Sequence, residues 1–254
     1  MDPSHIAEAA ALLVAARQQR SRIGLLPEVC RPRSVADAHA IQDAVTAVLG
    51  ATVGAVVGAF KANAPAGSEA MRAPIYAPIH ASPARMSARD VPQCGVEGEV
   101  AFRFRRDLPS RPTPYRRDEI AAALDACVAI EVVTSRFADP DAATLLDKLA
   151  DCVSNGGLVY GALTEDWRGL ELGKLRVTLT VNGETVVEQA GGHPTGDPLG
   201  IAVALVEMMR EAGGVREGQF VTCGSYTGLR YLKPGDVCGV RFEALGTAEV
   251  AFTQ

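Results

Sequence analysis

Apolar residues near the start of the chain recur every three or four positions, which is the spacing of one helix face. Ile6, Ala10 and Leu13 follow this spacing, and Asp2 followed by Pro3 is a typical helix start. The pattern predicts a first helix that ends in the basic residues of "ARQQR", which suit a helix C-terminus.

The same spacing returns in a second segment that begins at Ser34. Asp37, three residues later, forms an aspartate variant of the capping box, and Gly50 is predicted to end the helix. The apolar face of this helix is formed by Ile41, Val45, Val48 and Leu49. Two consecutive helices predict an N-terminal helical subdomain over residues 1–52.

Beyond residue 52 the apolar residues alternate with polar ones or form short runs, which are strand patterns. The clearest is "LRVTLTVNGETVVEQ", where Asn182-Gly183 suits a two-residue type I′ turn. Further strands are predicted at 53–60, 96–104, 129–134, 157–163, 219–224, 237–243 and 247–253, and helices at about 117–128, 140–151 and 198–212. The chain is therefore predicted to be α+β, with a β-rich, mainly antiparallel domain over residues 53–254.

Composition narrows the class of protein further. Of the 254 residues, 48% are hydrophobic, which is ordinary for a globular core. A net charge of -5 without a Lys/Arg run argues against a nucleic-acid partner. No apolar run is long enough to span a bilayer, and no secretion signal is recognisable. Six cysteines without a C-x-x-C pair are typical of reduced thiols, so we expect a soluble, cytoplasmic protein without a membrane partner.

The first candidate chemistry lies in "GVEGEVAFRF", residues 95–104, where Glu97 and Glu99 fall on one face of a predicted strand. The opposite face is apolar. Two neighbouring carboxylates repel unless water, a base or a cation separates them. For an isolated pair of this kind, a solvated outer face is the simpler explanation.

Glu131 is harder to explain as a surface residue, because it lies in the apolar run "AIEVV". A charge inside such a run is costly unless it is paired or coordinated. Three glutamates on two strands offer oxygen ligands, which suit a hard cation such as Mg²⁺ or Mn²⁺. A buried ion pair of Glu131 with Arg136 or Arg103 explains the residue equally well, and the spacing leaves both interpretations open.

Lys61 ends the small and apolar run "VGAVVGAFK". A lysine at the end of a buried strand can reach into a site, where desolvation lowers its pKa and makes it usable as a base. The alternative is a surface lysine whose aliphatic stem packs at the strand end.

Several segments, taken in order, resemble those of the 2-keto-4-pentenoate hydratase family. These enzymes belong to the fumarylacetoacetate hydrolase superfamily, together with the 4-oxalocrotonate decarboxylases. The segments are "AAALLVAARQQR", "SVADAHAIQDAV", "GAFK", "PIYAPI", "VEGEVAF", "AIEVVTSRF", "LADCVSNGGLVYG", "GDPLGIAVALVEMMREAGG", "GQFVTCGSYTG", "LKPGD" and "GTAEVAF". The resemblance covers nearly the whole chain and implies a β roll or sandwich of the fumarylacetoacetate hydrolase type after the helical subdomain.

The resemblance also implies a site. Glu97, Glu99 and Glu131 match the ligands of a divalent cation, Mg²⁺ or Mn²⁺, and Lys61 matches the active-site lysine. Three hydroxyl residues match segments that line the pocket and are predicted to bind substrate: Ser154, Ser225 and Thr227. Turn capping accounts for these three hydroxyls equally well. A homo-oligomer, and a complex with a sister pathway enzyme, are further implications of the family.

The chain departs from the family at three places. "ANAP" follows Lys61 in place of a "VGLT"-like run, and Cys152 replaces an asparagine. Ile75, before Tyr76, stands where many hydratases have an acidic residue. If that acid activates water, its loss puts water addition in doubt and favours decarboxylation slightly.

The predicted function is a metal-dependent lyase, which adds water to a 2-hydroxy-2,4-dienoate to give a 4-hydroxy-2-oxo acid. Two reactions of the superfamily are alternatives: decarboxylation of a 2-oxo-enedioate and C–C hydrolysis of an acylpyruvate. A third alternative is a weakly active partner subunit that binds 2-oxo acids.

Overall fold

The N-terminal helices follow from their capping signals. In the computed structural model, which describes residues 1–254, helix α1 spans Pro3–Gln18, and Asp2 accepts a hydrogen bond from the Ser4 amide. Helix α2 spans Val35–Val53 and is capped by the Ser34 hydroxyl. The predicted end at Gly50 is wrong. The helix ends at Gly54, whose φ of 65° gives the left-handed conformation that this helix end requires.

Three further helices lie in the rest of the chain: α3 (Arg117–Ala121), α4 (Leu145–Ala150) and α5 (Pro198–Arg210). The helix predicted at 117–128 is therefore only partly right, since a strand begins at Leu124. Every residue of that strand is buried, so its sequence has no polar face from which the period could be read. The helix predicted at 140–151 is also too long, because Thr144 and Asp147 form a capping box that starts it later.

The strands, in chain order, are β1 (Val57–Asn63), β2 (Met71–Tyr76), β3 (His80–Ala81), β4 (Ala84–Ser87), β5 (Gly95–Phe104), β6 (Leu124–Val133), β7 (Asn155–Tyr160), β8 (Arg176–Val181), β9 (Glu184–Ala190), β10 (Phe220–Ser225), β11 (Arg230–Tyr231), β12 (Val237–Phe242) and β13 (Gly246–Thr253). The hairpin of β8 and β9 is confirmed: Asn182 and Gly183 have φ values of 52° and 84°.

These strands form two sheets. The larger has eight strands, in the order β2-β1-β10-β5-β6-β7-β3, with β11 paired to β5. The smaller has the order β4-β13-β12-β8-β9. The pairs are antiparallel except for β1 with β10, β3 with β7 and β4 with β13. The predicted α+β class with mainly antiparallel sheets is confirmed.

The main core lies between the two sheets. Apolar and polar residues alternate along β5, and this alternation directs its apolar side chains into the core. The predicted apolar face of β5 packs there, together with residues of the smaller sheet such as Val240 and Phe252. The opposite face of the larger sheet is also covered. Part of it carries a small apolar cluster that includes Ala101, Cys127 and Phe220. Neither face of β5 is therefore a solvated outer face.

The N-terminal helices do not form a core of their own. Leu13 of α1 and Ile41 of α2 belong to one apolar cluster that also contains Leu149 of α4. The division at residue 52 stays a prediction. No helix in the structure combines the length and the apolar character that crossing a membrane requires.

Candidate metal centre

Strand pairing brings three glutamates together. β5 and β6 are antiparallel neighbours in which Glu97 lies opposite Glu131 and Glu99 lies opposite Ala129. Residues that face each other across such a pair project to the same side of the sheet. One carboxylate oxygen from each of Glu97, Glu99 and Glu131 lies within 4.8 Å of the others. The predicted metal ligands therefore converge in space.

The three glutamates stand in a strongly unfavourable charge environment. Glu99 is 2% exposed and Glu131 fully buried, while Glu97 is half-buried. Burial, reinforced by the neighbouring carboxylates, raises the pKa of Glu99. Burial also raises the pKa of Glu131, against the opposing effect of Lys61. Glu131 Oε2 is buried without a hydrogen-bond partner. A divalent cation fits this arrangement, because it neutralises the carboxylates and gives the orphaned oxygen a partner.

The partner of Glu131 within the protein is Lys61, and neither Arg136 nor Arg103 pairs with it. Lys61 Nζ lies 2.7 Å from Glu131 Oε1 and donates a hydrogen bond of 3.1 Å to the Val153 carbonyl. Arg136 instead forms an ion pair with Asp151. The alternative of a glutamate–arginine pair is therefore wrong.

The expected effect on the pKa of Lys61 is also wrong in sign. Burial alone would lower the pKa of its ammonium group, but Glu131, with Glu97 and Glu99 beyond it, raises it overall. The nearby carboxylates outweigh desolvation because they stabilise the charged form directly. Without a cation in the cluster, the carboxylates therefore favour the protonated, ammonium form of Lys61.

Strand β10 lies beside the strands that carry Lys61 and the glutamates, and together these strands form the floor of the site. It lies between β1 and β5, with Thr222 beside Lys61 in the register of the first pair. The Gly224 amide donates a hydrogen bond of 2.8 Å to Glu99 Oε2 and so fixes that carboxylate. The hydroxyl of Ser225 is buried without a partner, and the residue lines the cavity above the glutamates.

A cavity of about 290 Å³ opens above this floor. Glu97, Glu99 and Lys61 lie at one end of it. The other wall residues are Ala62, Asn63, Met71, Arg72, Ala73, Leu145, Leu149, Val153, Pro194, Thr222, Gly224 and Ser225. Met71 and Arg72 come from β2, which lies three strands from β5 in the sheet. Helix α4 contributes the apolar roof.

Of the three predicted substrate-binding hydroxyls, only that of Ser225 belongs to a residue of this wall. Thr227 is buried and its hydroxyl accepts a hydrogen bond of 2.9 Å from the Gly98 amide, so it anchors the backbone between Glu97 and Glu99. Ser154 lies outside the wall, in a turn next to Val153. The assignment of these hydroxyls to substrate binding stays a prediction.

Gly98 explains why the two glutamates are separated by glycine. A Cβ atom there would lie 3.0 Å from Thr227 Cγ2 and 3.0 Å from Val240 Cγ1. That distance is tighter than ordinary van der Waals contact, so a side chain would push β5 away from the smaller sheet.

Sequence reasoning missed several residues that support the site. The Asn155 side-chain amide donates a hydrogen bond of 3.3 Å to Glu131 Oε1. Its position in the "SNGG" turn, next to a predicted site residue, was the available signal. Gly224 carries the same signal, because it directly precedes Ser225, whereas no local signal indicates Arg72, which only strand pairing brings to the cavity.

Two of the residues at which the chain departs from the family pattern, Ile75 and Cys152, are buried. Ile75 lies opposite Ala59 and belongs to the small apolar cluster on the glutamate side of the sheet. An apolar side chain therefore occupies the position where an acid was expected. Cys152 is buried beside Tyr76 and Arg17, at the base of the turn that carries Val153.

Known proteins resemble this chain over most of its length. A model of the fumarylacetoacetate (FAA) hydrolase C-terminal domain matches residues 70–253. A 2-keto-4-pentenoate hydratase of Paraburkholderia phymatum is 29% identical over 262 residues, which cover 100% of this chain and 99% of that protein. A second 2-keto-4-pentenoate hydratase, from Paraburkholderia xenovorans, is 33% identical over 159 residues, which cover 62% of this chain and only 58% of the relative.

Among solved structures, a 4-oxalocrotonate decarboxylase from Pseudomonas putida G7, complexed with magnesium and adipate, superposes with a TM-score of 0.84. The match covers 99% of this chain and 98% of that one, at 19% sequence identity. The fold implied by the sequence resemblance is thereby confirmed.

Proposed function

Because the chain belongs to the fumarylacetoacetate hydrolase family, we propose that it is a metal-dependent hydratase of a 2-hydroxy-2,4-dienoate, or of its 2-oxo-4-enoate tautomer. The product would be a 4-hydroxy-2-oxo acid. One observation carries the proposal: three carboxylates converge beside a cavity, and two of them, Glu97 and Glu99, line one end of it together with Lys61.

Glu97, Glu99 and Glu131 would hold the cation, Mg²⁺ or Mn²⁺, as all-oxygen ligands. When bound, the cation would supply Lewis-acid stabilisation of negative charge on the oxygens of a 2-oxo acid. The fit rests on the orphaned Glu131 oxygen and on the burial of Glu99. Magnesium in the superposable decarboxylase of P. putida G7 is consistent with it.

Side chains of the protein would carry out the proton transfer of the reaction. Lys61 Nζ is held between Glu131 and the Val153 carbonyl, so its proton is presented at a fixed position beside the cavity. We assign it the proton transfer between the 2-hydroxy-diene and 2-oxo forms, after which water adds at C4. The acids in the cavity wall are Glu97 and Glu99, so activation of that water falls to the cluster or to Lys61.

The charges around the cavity favour a substrate with a single carboxylate. The two cations of the wall are Lys61, paired with Glu131, and Arg72, whose Nη2 lies 3.0 and 3.2 Å from the Asp43 carboxylate oxygens. No unpaired cation is left for a second carboxylate. Met71 and the α4 side chains offer apolar contacts to the tail instead.

Decarboxylation of a 2-oxo-enedioate is the second candidate, and the burial of Ile75 favours it. That position holds no acid to activate water, and a decarboxylase has no water to add. A curated relative of P. putida named 4-oxalocrotonate decarboxylase is 28% identical over 62% of this chain. A cytoplasmic location and assembly into homo-oligomers or with a sister enzyme remain predictions.

The function is tested with purified protein, Mg²⁺ or Mn²⁺, and a panel of 2-hydroxy-2,4-dienoates of different tail length beside a 2-oxo-enedioate. Loss of dienoate absorbance without CO₂ release is the expected result. CO₂ release from the enedioate would identify a decarboxylase instead. Binding of Mn²⁺ and oxalate without turnover on any substrate would identify a binding subunit.

Glu97→Gln should abolish metal-dependent turnover, because it removes the charge of one proposed ligand. Glu184→Gln, on the exposed strand β9, is the matched control and should leave turnover unchanged.

A further inference from the structure

The turn between α4 and β7 has an unusual backbone. Cys152, Val153 and Ser154 have φ values of 53°, 51° and 56°, which place three consecutive non-glycine residues in the left-handed region. Each such residue costs roughly 1–2 kcal/mol, and a β-branched valine is especially unsuited to it. A conformation of this kind persists only where surrounding contacts hold it.

This turn contacts both members of the Lys61–Glu131 pair. The carbonyl of Val153 accepts the hydrogen bond from Lys61 Nζ, and Asn155, immediately after the turn, donates to Glu131 through its side chain. If the turn relaxed to ordinary backbone angles, the Val153 carbonyl would point elsewhere and Lys61 would lose one of its two anchors.

One buried guanidinium joins the two ends of the turn. Arg136 Nη2 donates a hydrogen bond of 2.6 Å to the Asp151 carbonyl, and Nη1 donates one of 2.7 Å to the Asn155 carbonyl. These two residues flank the turn directly. The guanidinium is itself held by the carboxylate of Asp151, and Arg136 is 4% exposed.

We infer that Arg136 is a positioning residue, which keeps the left-handed turn closed and thereby places Lys61 for proton transfer. Arg136 is absent from the cavity wall, so it acts through the turn and not on the substrate. The assignment to proton transfer rests on the proposed function, whereas the closure of the turn does not.

Arginine suits this role because of its shape. A planar guanidinium presents donors along two edges and can bind a carboxylate and two carbonyls at once. The ammonium group of lysine can still pair with Asp151, but it cannot bridge both carbonyls with the same geometry. We call the link that Arg136 makes between the Asp151 and Asn155 carbonyls the clamp. Arg136→Lys therefore keeps the buried positive charge but opens the clamp.

The first test measures kinetics and metal binding of Arg136→Lys. We expect kcat to fall about 10- to 100-fold, since a small misplacement of a catalytic group has an effect of this size. The KM and the Mn²⁺ dissociation constant should change less than about threefold, because Glu97 and Glu99 lie on β5, outside the turn, and Glu131 is held within β6 by its two neighbouring strands. A purely structural role would raise KM and the metal constant along with the loss of kcat, and that result would overturn the inference.

The matched control is Arg210→Lys. Arg210 also pairs with an acid, Glu207, and also binds two backbone carbonyls, those of Arg111 and Pro112, but it lies on α5 outside the cavity wall. It should leave all three constants within about twofold of the wild type.

The second test relieves the strain of the turn. Glycine adopts positive φ without penalty, so Ser154→Gly lowers the cost of the left-handed conformation. The loss of kcat caused by Arg136→Lys should then be at least threefold smaller in the Ser154→Gly background than in the wild type. Any contribution of the Ser154 hydroxyl to substrate binding cancels in this comparison of ratios. If Arg136→Lys lowers kcat by the same factor in both backgrounds, the two substitutions act independently, and that result would contradict the inference.

The third test needs no turnover. Amide hydrogen exchange over residues 150–156 should be faster in Arg136→Lys than in the wild type and in Arg210→Lys. If the wild type turns over none of the substrates, the proposed function fails but this measurement still decides on the clamp. Unchanged exchange would refute the clamp.

Should Arg136→Lys not fold, Asp151→Asn takes its place in all three tests, since this substitution removes the carboxylate that holds the guanidinium.

Discussion

At the scale of single residues, Lys61 and the three glutamates form a network in which each charge changes the others. The ammonium group occupies one side of Glu131, while the other carboxylate oxygen of Glu131 is the orphaned one. The lysine therefore both supports the cluster and competes with a cation for its negative charge. Substitution of Lys61 can therefore distinguish an effect on metal binding from an effect on proton transfer.

Lys61→Met should lower kcat by roughly 10²–10⁴-fold, the usual contribution of a placed proton-transfer group. Mn²⁺ should bind at least as tightly as to the wild type, because three carboxylates remain without a competing positive charge. Titration calorimetry and steady-state kinetics on the same preparation measure both quantities. A more than tenfold loss of Mn²⁺ affinity would show that Lys61 is needed to assemble the cluster.

Asp43→Asn should change the choice of substrate. It removes the carboxylate partner of Arg72, which is a residue of the cavity wall. We expect the ratio of kcat/KM for a substrate with a second carboxylate to that for an apolar-tailed one to rise about two- to fivefold, which corresponds to a partly exposed ion pair of up to about 1 kcal/mol.

Competition between the two substrates in one reaction gives that ratio directly. Asp141→Asn, an exposed substitution outside the cavity wall, is the control and should leave the ratio unchanged. An unaltered ratio in Asp43→Asn would mean that Arg72 does not reach the substrate tail.

The residue chemistry was only partly predictable. Period-two alternation places Glu97 and Glu99 on one face without any tertiary information, and the apolar surroundings mark Glu131 as buried. Which cation partners Glu131 depends on strand order, and β1 reaches the site only because β10 lies between it and β5. The raised pKa of Lys61 has the same origin, since the carboxylates responsible for it come from other strands.

At the scale of elements, the loop between β9 and α5 closes one side of the cavity through Pro194. His193 anchors this loop. Its Nε2 lies 2.7 Å from the Cys223 carbonyl, and its Nδ1 accepts a hydrogen bond of 3.3 Å from the Thr195 amide. Both contacts are satisfied by the neutral ring that carries its proton on Nε2.

Burial lowers the pKa of His193, against smaller opposing effects of the Cys223 carbonyl and Asp197. The unfolded chain therefore binds a proton more readily than the folded one, so the stability that His193 contributes is present above its unfolded pKa of about 6.5 and is lost as the pH falls below it. We expect the free energy of unfolding in urea to decrease from pH 7 to pH 5.

The decrease should be smaller in His193→Asn, which cannot titrate. The difference in unfolding free energy between wild type and variant, measured at both pH values, isolates the histidine. An identical slope in the two proteins would assign the acid sensitivity to other groups.

Elements with strong local signals were predicted well. Asp2-Pro3, Asp197-Pro198 and Asn182-Gly183 start or turn their elements by contacts with immediate neighbours. The short strands β2, β3, β4 and β11 were missed, because two to six residues carry little periodicity. Strand β6 was predicted too short because its first half resembles a helix, and pairing on both sides overrides that preference.

At the scale of the whole molecule, we expect the buried carboxylates to make the stability of the fold sensitive to cation binding. Glu99 and Glu131 lose hydration on folding and repel each other, and a cation bound between them would offset both effects. A ligand that binds only the folded state stabilises it by about 2.7 kcal/mol at a hundred times its dissociation constant. Mn²⁺ at that concentration should therefore raise Tm by several degrees, and EDTA should reverse the change.

The control is Glu97→Gln, in which the thermal shift should be reduced to less than half. Differential scanning calorimetry with Mn²⁺, and with the same concentration of choline chloride to exclude an effect of ionic strength, provides the measurement. A shift of full size in Glu97→Gln would place the stabilising ion elsewhere in the molecule.

The helical cluster that joins α1, α2 and α4 has a consequence for how this protein changes over generations. The roof of the cavity belongs to that cluster, whereas the acidic floor belongs to the sheets. Substitutions among the helices can therefore reshape the space for a substrate's tail and leave the reacting end intact. We therefore expect substitutions in α4 to change the choice of substrate tail more than the proposed chemistry at the three glutamates.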